Sequence, residues 1–345
     1  MKTNLLIALL FLGIIVMIHE LGHFLVAKAV GISAEEFSIG MGPQLLKIAG
    51  KETIYSLRLL PIGGYVKFTG DDEDTSDPRA FKNSKIWKRM SVIAAGPIMN
   101  FILAVLLFTI LFISYGVATD VLPVIDDMIE ASAAQEAGLL PGDRFVAIGA
   151  VDLAGMDNTQ AVSEIQANIA QNEGSPIEMT IERNGEKQEY TITPRFDKGA
   201  QKYQLGFYFR QDIEKPGILK ALGMSFENTG LLIVNMVDLL GNLIFKGQGA
   251  GDVAGPVGIV REIGKAAEAG VEYLLTLGII ITANLGLINL IPFPALDGGR
   301  LTLLIFEGIR GKPMNPEKEG YINLVGFVLL MLLMLVVTYK DIFGG

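Results

Sequence analysis

The sequence reads as an α-helical polytopic membrane protein with four transmembrane helices, a membrane-associated β-hairpin and one inserted α+β domain. Three observations lead there. Half of the 345 residues are hydrophobic and mean hydropathy is +0.44. Four stretches run uncharged, or nearly so, over membrane-spanning lengths. Between the second and third lies an acidic interval that carries strand and turn signals instead.

The first stretch runs from about Thr3 to Ala27 and is interrupted only by Glu20. It is too long, and too rich in ionisable residues in its C-terminal half, for a cleavable signal peptide. The second is uncharged from Ser91 to Thr119, the third from Tyr273 to Leu296, and the fourth from Tyr321 to Tyr339. Four spans put both termini on one side. The stretch Ile218–Lys246 is broken by Lys220, Glu227 and Asp238, so it reads as an amphipathic interfacial helix.

Basic residues set the orientation. Arg79, Lys82, Lys85, Lys88 and Arg89 precede the second span with no acid among them, and Arg300, Arg310, Lys312 and Lys318 lie between the third and fourth. Both loops are expected in the cytoplasm, and the acidic interval outside. Once these residues have set topology no basic stripe remains, and the net charge is −9, which excludes a nucleic-acid partner. With no cysteine there is neither disulfide nor thiol chemistry.

The chain thus divides into a first membrane segment, 1–119, containing the hairpin loop; an outer domain, 120–215; an amphipathic interfacial region, 216–270; and a second membrane segment, 271–345. Within the loop of the first, Thr53–Arg58 alternates apolar and polar residues, and Leu59–Phe68 contains Pro61 and Gly63-Gly64. The two are expected to form a hairpin broken by a turn or bulge. In the outer domain, Pro141-Gly142-Asp143 makes a turn into an alternating strand, Thr159–Ala170 has helical periodicity, and Asn184-Gly185 lies between two strand-like runs. The acid run Asp71-Asp72-Glu73-Asp74 reads as a solvated loop. Gly247, Gly249 and Gly251 lack the lysine and the strand-loop-helix setting of a phosphate loop.

The chain's two histidines, His19 and His23, sit four apart inside the first apolar stretch, with Glu20 beside the first. Residues i and i+4 share a helical face, so both imidazoles can reach one tetrahedral zinc ion. A glutamate in an apolar helix costs about 3 kcal/mol at mid-membrane, which argues against a chance occurrence. In this spacing it serves as general base toward metal-bound water. Two histidines leave the metal short of a ligand. The third span supplies an acid, Asp297, after Pro292 and Pro294, in a backbone tolerated at membrane depth only where it lines a protein cavity. Asn100, in the second span with Gly96 and Pro97, is a candidate support of that cavity; close helix packing is the alternative reading.

The HExxH at His19–His23, the N-x-x-P-x-P-x-L-D-G from Asn289 to Gly298, and a single insertion resembling a bacterial PDZ domain together resemble the site-2 protease family of intramembrane zinc metalloproteases, and its anti-sigma-factor-cleaving bacterial branch in particular. Leu60–Lys67, Ala95–Asn100 and Gly255–Ile259 carry the resemblance further. It implies that His19, His23 and Asp297 bind Zn2+, that Glu20 is the catalytic base, and that Asn289 holds substrate backbone. It also implies a membrane-dipping β element whose Gly63, Gly64 and Tyr65 lie near the substrate. The expected partners are the lipid bilayer, single-span membrane proteins (anti-sigma factors or remnant signal peptides) and an extracytoplasmic peptide on the PDZ-like domain. The expected location is the bacterial cytoplasmic membrane. The reading of another class is a catalytically silent scaffold displaying that domain.

Overall fold

Chain contacts divide the protein into two units, Met1–Ile113 with Gly217–Gly345, and Ser114–Pro216. The computed structural model describes residues 2–71, 75–197, 202–247 and 254–343; Asp72, Glu73 and Asp74 of the acid run, and Gly249 and Gly251, lie outside them.

The larger unit opens with α1 (Lys2–Val30). Its apolar, proline-free sequence keeps every backbone bond within the helix, as an apolar surround requires. Gly31 ends it at φ 82°, where Ile32 N–H returns to Ala27 O at 2.8 Å. Strands β1 (Ala34–Ala49) and β2 (Ile54–Phe68) follow as an antiparallel pair. Both bend sharply, so the first half of β1 is paired on two sides: Phe37 faces Val66 on one and Tyr55 on the other. This corrects the expected hairpin. Thr53–Arg58 and Leu59–Phe68 are not two arms; from Ile54 on they form one continuous strand, and the partner arm is Ala34–Ala49. Pro61 and Gly63 bend β2 without ending it, while Gly40, Gly42 and Pro43 hide β1 from any propensity count.

Next comes α2 (Ile86–Tyr115), with Pro97 inside it. The smaller unit then contributes β3 (Val117–Met128), α3 (Ala133–Glu136), β4 (Arg144–Ile148), β5 (Val151–Asp152), α4 (Asn158–Gln171), β6 (Ile177–Arg183), β7 (Glu186–Ile192), β8 (Arg195–Asp197), β9 (Lys202–Gln204) and β10 (Phe207–Glu214). Its main sheet runs β10-β3-β4-β6-β7, with β5 against β4. Ile125, Phe145, Ile148, Ile165 and Ile181 fill the core between sheet and α4. Asn184 and Gly185, at φ 54° and 86°, form the two-residue turn joining β6 to β7.

The larger unit resumes with α5 (Ile218–Lys246), α6 (Pro256–Ala269), α7 (Val271–Leu290), α8 (Asp297–Arg310) and α9 (Pro316–Phe343). Among the described residues, four helices are long and apolar enough to cross a membrane: Leu5–Val30, Ile86–Tyr115, Val271–Leu290 and Glu317–Phe343. Asp297 does not end the third apolar helix, as expected, but begins α8 after a six-residue break. Two prolines in that break remove the backbone donors that a continuous helix would need.

Phe24, Phe37, Phe68, Phe81, Ile93 and Leu304 form one buried cluster that ties α1, the hairpin, α2 and α8 together. That cluster holds in register the elements from which the metal centre is built.

Candidate metal centre

Helix α1 presents His19 and His23 on one face, both 6% exposed. They lie where α2 comes closest, and the contact is made by Gly96. A Cβ there would stand 2.3 Å from His23 Nε2 and 2.8 Å from His19 Cε1, so any larger residue would push the helix off both rings.

The third group arrives from the break between α7 and α8. Phe293 N–H turns back to Ile291 O at 2.7 Å, and Ala295 takes the left-handed conformation at φ 73°. A non-glycine residue held there stores backbone strain, which persists where surrounding structure over-determines it. Asn323 on α9 is part of that surrounding, its Oδ1 accepting from Ala295 N–H at 3.4 Å. Asp297 follows at once and points its carboxylate at the histidines.

His19 Nε2 lies 3.1 Å from Asp297 Oδ2, His23 Nε2 lies 3.3 Å from the same oxygen, and the two nitrogens are 3.2 Å apart. A tetrahedral zinc with bonds of about 2.0–2.1 Å has ligand-to-ligand edges of about 3.3 Å, so the triangle has the size of one face of such a site. Its chemistry fits as well. His23 Nδ1–H donates to Val92 O at 2.8 Å, which leaves Nε2 as a bare lone pair. Asp297 Oδ2 is buried without a hydrogen bond. Converging buried acceptors repel one another unless a cation stands among them.

Asn100 is fully buried, with its side-chain amide 3.1 Å from His19 Nδ1. Ligation through Nε2 puts the ring proton on Nδ1, and the amide meets it when its oxygen is turned toward the ring. Asn100 O in turn accepts from Thr282 Oγ1 at 3.2 Å, fastening α2 to α7 at this level.

A cavity of 290 Å³ opens over the three ligands, and Glu20, Asn289, Val66, Phe68 and Arg300 are in its wall. Glu20 is not one of the three candidate ligands, but it shares their cavity. Strand β2 approaches this closely because of Gly64, where a Cβ would lie 2.5 Å from Ser38 O and 3.7 Å from Glu20 Cγ.

Of the residues expected near substrate, Asn289 is in the cavity wall, whereas Gly63, Gly64 and Tyr65 are not. Tyr65 points to the other face of β2, where its hydroxyl accepts from Arg58 Nη2 at 2.6 Å. Strand alternation puts Val66 and Phe68, not Tyr65, beside Glu20. Sequence reasoning missed these two and Arg300. Alternation was the available signal for the strand pair; three-residue helical spacing from Asp297 was the signal for Arg300.

Comparison with known proteins agrees with this geometry. The family model described as Peptidase family M50 matches residues 7–333. The CA_C1796 protein of Clostridium acetobutylicum is 42% identical over 98% of this chain and 97% of its own length. Zinc metalloprotease RasP of Geobacillus kaustophilus is 33% identical over 96% of this chain and 95% of its own length, and the Bacillus licheniformis protein of the same name 32% identical over 97% of each. With its ligand triangle, its glutamate and a family match over nearly its whole length, the chain belongs to peptidase family M50 and is a zinc metalloprotease.

Proposed function

We propose that this protease hydrolyses peptide bonds within the spanning segments of single-span membrane proteins, with anti-sigma factors and remnant signal peptides as its substrate classes. The observation that carries the reading is the cavity that puts His19, His23, Asp297 and Glu20 beside the strand segment 64–68 in a bundle of apolar helices. The metal centre would be held by His19, His23 and Asp297, with Asn100 orienting the first ring. Zinc, when bound, supplies Lewis-acid activation of water and of the scissile carbonyl. Glu20 takes the proton from the attacking water and returns it to the departing amine nitrogen. Asn289 donates from its side-chain amide to substrate backbone.

A transmembrane helix hides its peptide bonds behind internal hydrogen bonds, so a substrate must be extended before it can be cut. Segment 64–68 pairs with 34–39, and its Val66 and Phe68 line the cavity. An extended substrate would add to the other edge of that segment as one more strand.

The basic loops support a topology with the hairpin and the metal's side of the bundle toward the cytoplasm and both termini and residues 120–215 outside, in a bacterial cytoplasmic membrane. The inserted unit is proposed to be PDZ-like: α4 packs on β3, and a peptide bound there would govern access, not chemistry.

The test is cleavage of purified single-span substrates by the full chain in detergent, with and without a zinc chelator. Cleavage within the apolar segment, stopped by chelation and restored by zinc, is expected. A zinc-loaded protein that cuts only soluble or extramembrane segments would overturn the reading.

A further inference from the structure

Among the described residues lining the cavity over the metal centre, Arg300 is the one permanent cation. It stands three residues beyond Asp297, its backbone N–H bonded to Leu296 O at 3.2 Å in the first turn of α8. That spacing puts the ligand and the guanidinium on one helical face.

A second cavity of 300 Å³ adjoins the first, and Arg300 and Ile93 are in the walls of both. It adds Lys82 and Arg89, and with them the acids Asp71, Glu307 and Glu319, so its wall carries both signs of charge. Arg89 is committed to Glu307 by bonds of 2.7 and 3.3 Å. Arg300 is not committed in this way. Among the described residues it has one ion-pair partner, Asp71, at 3.5 Å, with both side chains partly exposed. That separation exceeds a good charge-assisted hydrogen bond, so most of the guanidinium donors remain for something that enters the cavity.

The reaction makes such a group. In hydrolysis the water oxygen joins the acyl carbon, the C–N bond breaks, and both water protons end on the amine nitrogen. A neutral peptide bond becomes a carboxylate and an ammonium. A new carboxylate in apolar surroundings is costly without a counter-ion, and one left on the metal centre blocks the next turnover. We propose that Arg300 is a product-binding residue, which draws the carboxylate of the acyl product away from the metal centre and into the second cavity. Asp71 competes for it and holds it ready between turnovers. This rests on the endopeptidase reading above.

The test compares two probes of the same shape, N-acetyl-leucine and N-acetyl-leucinamide, on the zinc-loaded full chain. Binding is read by calorimetry and by inhibition of cleavage. The wild type is expected to prefer the acid. Arg300→Gln, with zinc content verified, should weaken acid binding by about tenfold or more while amide binding stays within about twofold, as loss of a charge-assisted bond predicts. Arg300→Lys should fall between. Asp71→Asn, which removes the competitor, should tighten acid binding by about threefold, an effect in the opposite direction that a merely damaged site would not give. An undiminished acid preference in zinc-loaded Arg300→Gln, or parallel loss of acid and amide, would overturn the proposal. If the wild type binds the acid through Arg300 yet cleaves no spanning segment, the endopeptidase reading fails while the carboxylate site stands.

Discussion

The two units both bury apolar residues and differ in the polar groups buried among them. In Ser114–Pro216 the interior is Ile125, Phe145, Ile148, Ile165 and Ile181, and its buried acid, Asp143, is bonded by Arg183 at 2.6 and 2.7 Å. In the larger unit, buried positions include His19, His23, Asn100, Ser225 and Thr282, while Leu329, Leu332, Leu335 and Val336 of α9 are exposed. Water drives the first arrangement by expelling apolar surface. An apolar surround offers no such force between helices, so close backbone contact and polar links must hold the second together. Gly96 against the histidine rings and Thr282 on Asn100 O are contacts of that kind. In the larger unit, therefore, the polar interior around the candidate metal centre is also part of what holds the helices in place.

That comparison can be broken most severely at Asp297. Asp297→Ala deletes one of three ligands, and zinc affinity should fall by about a hundredfold or more, with activity lost as well. Thermal unfolding should show the helical unit weakened while the inserted unit keeps its own transition. Full zinc occupancy by metal analysis would place the third ligand elsewhere.

Glu20→Gln separates chemistry from architecture. It removes the base without removing a ligand, so cleavage should drop by about a thousandfold while zinc content and melting stay as in the wild type. Near-normal cleavage would sink the assignment of the base.

The converse experiment targets the water-folded unit. Arg183→Met strands the buried Asp143 carboxylate, which keeps only the Leu140 N–H at 2.8 Å. The inserted unit should lose about 2 to 3 kcal/mol, read as a lower denaturation midpoint, with zinc binding untouched. A parallel loss of zinc would mean that the units do not fold independently.

The smallest effect is expected in the hairpin. Burial alone would raise the Glu36 carboxyl above its ordinary 4.5, but hydrogen bonds from Ser56, Arg58 and Tyr65 together hold it below that value. A carboxyl lowered in the folded state stabilises above its unfolded pKa, and that contribution is lost as pH falls through the folded one. Glu36→Gln should therefore cost less than about 1 kcal/mol at neutral pH, and the difference from wild type should shrink as pH falls below the ordinary 4.5 and vanish once it is below the lowered folded-state value. A difference independent of pH would remove the ion pair from the account.

Legibility in the sequence followed the range of the interaction that decides each feature. The HExxH site was readable because helical spacing alone brings residues i and i+4 together, and the apolar helices because length and lack of charge suffice. The Asn184-Gly185 turn was readable because it needs positive φ at two adjacent positions. Asp297 was visible as an acid in an apolar setting, but not as the first residue of a new helix, since that depends on where the chain re-enters its helical bonds after two prolines. The β1 arm was missed because its glycines and proline argue locally against a strand that only pairing on both sides sustains.

By itself, then, the sequence determined the class of protein and singled out the histidine pair on α1, the glutamate beside it and the acid that the fold brings to them. Tertiary structure alone decided which residues line the cavity beside Glu20. One residue of shift along β2 exchanges Tyr65 for Val66, because strand side chains alternate between faces. Composition carries no information about which face meets Glu20. Only the packing of Gly64 beside Ser38 O and Glu20 settles that parity, just as only the bend before α8 carries Arg300 into the same cavity as the metal ligands.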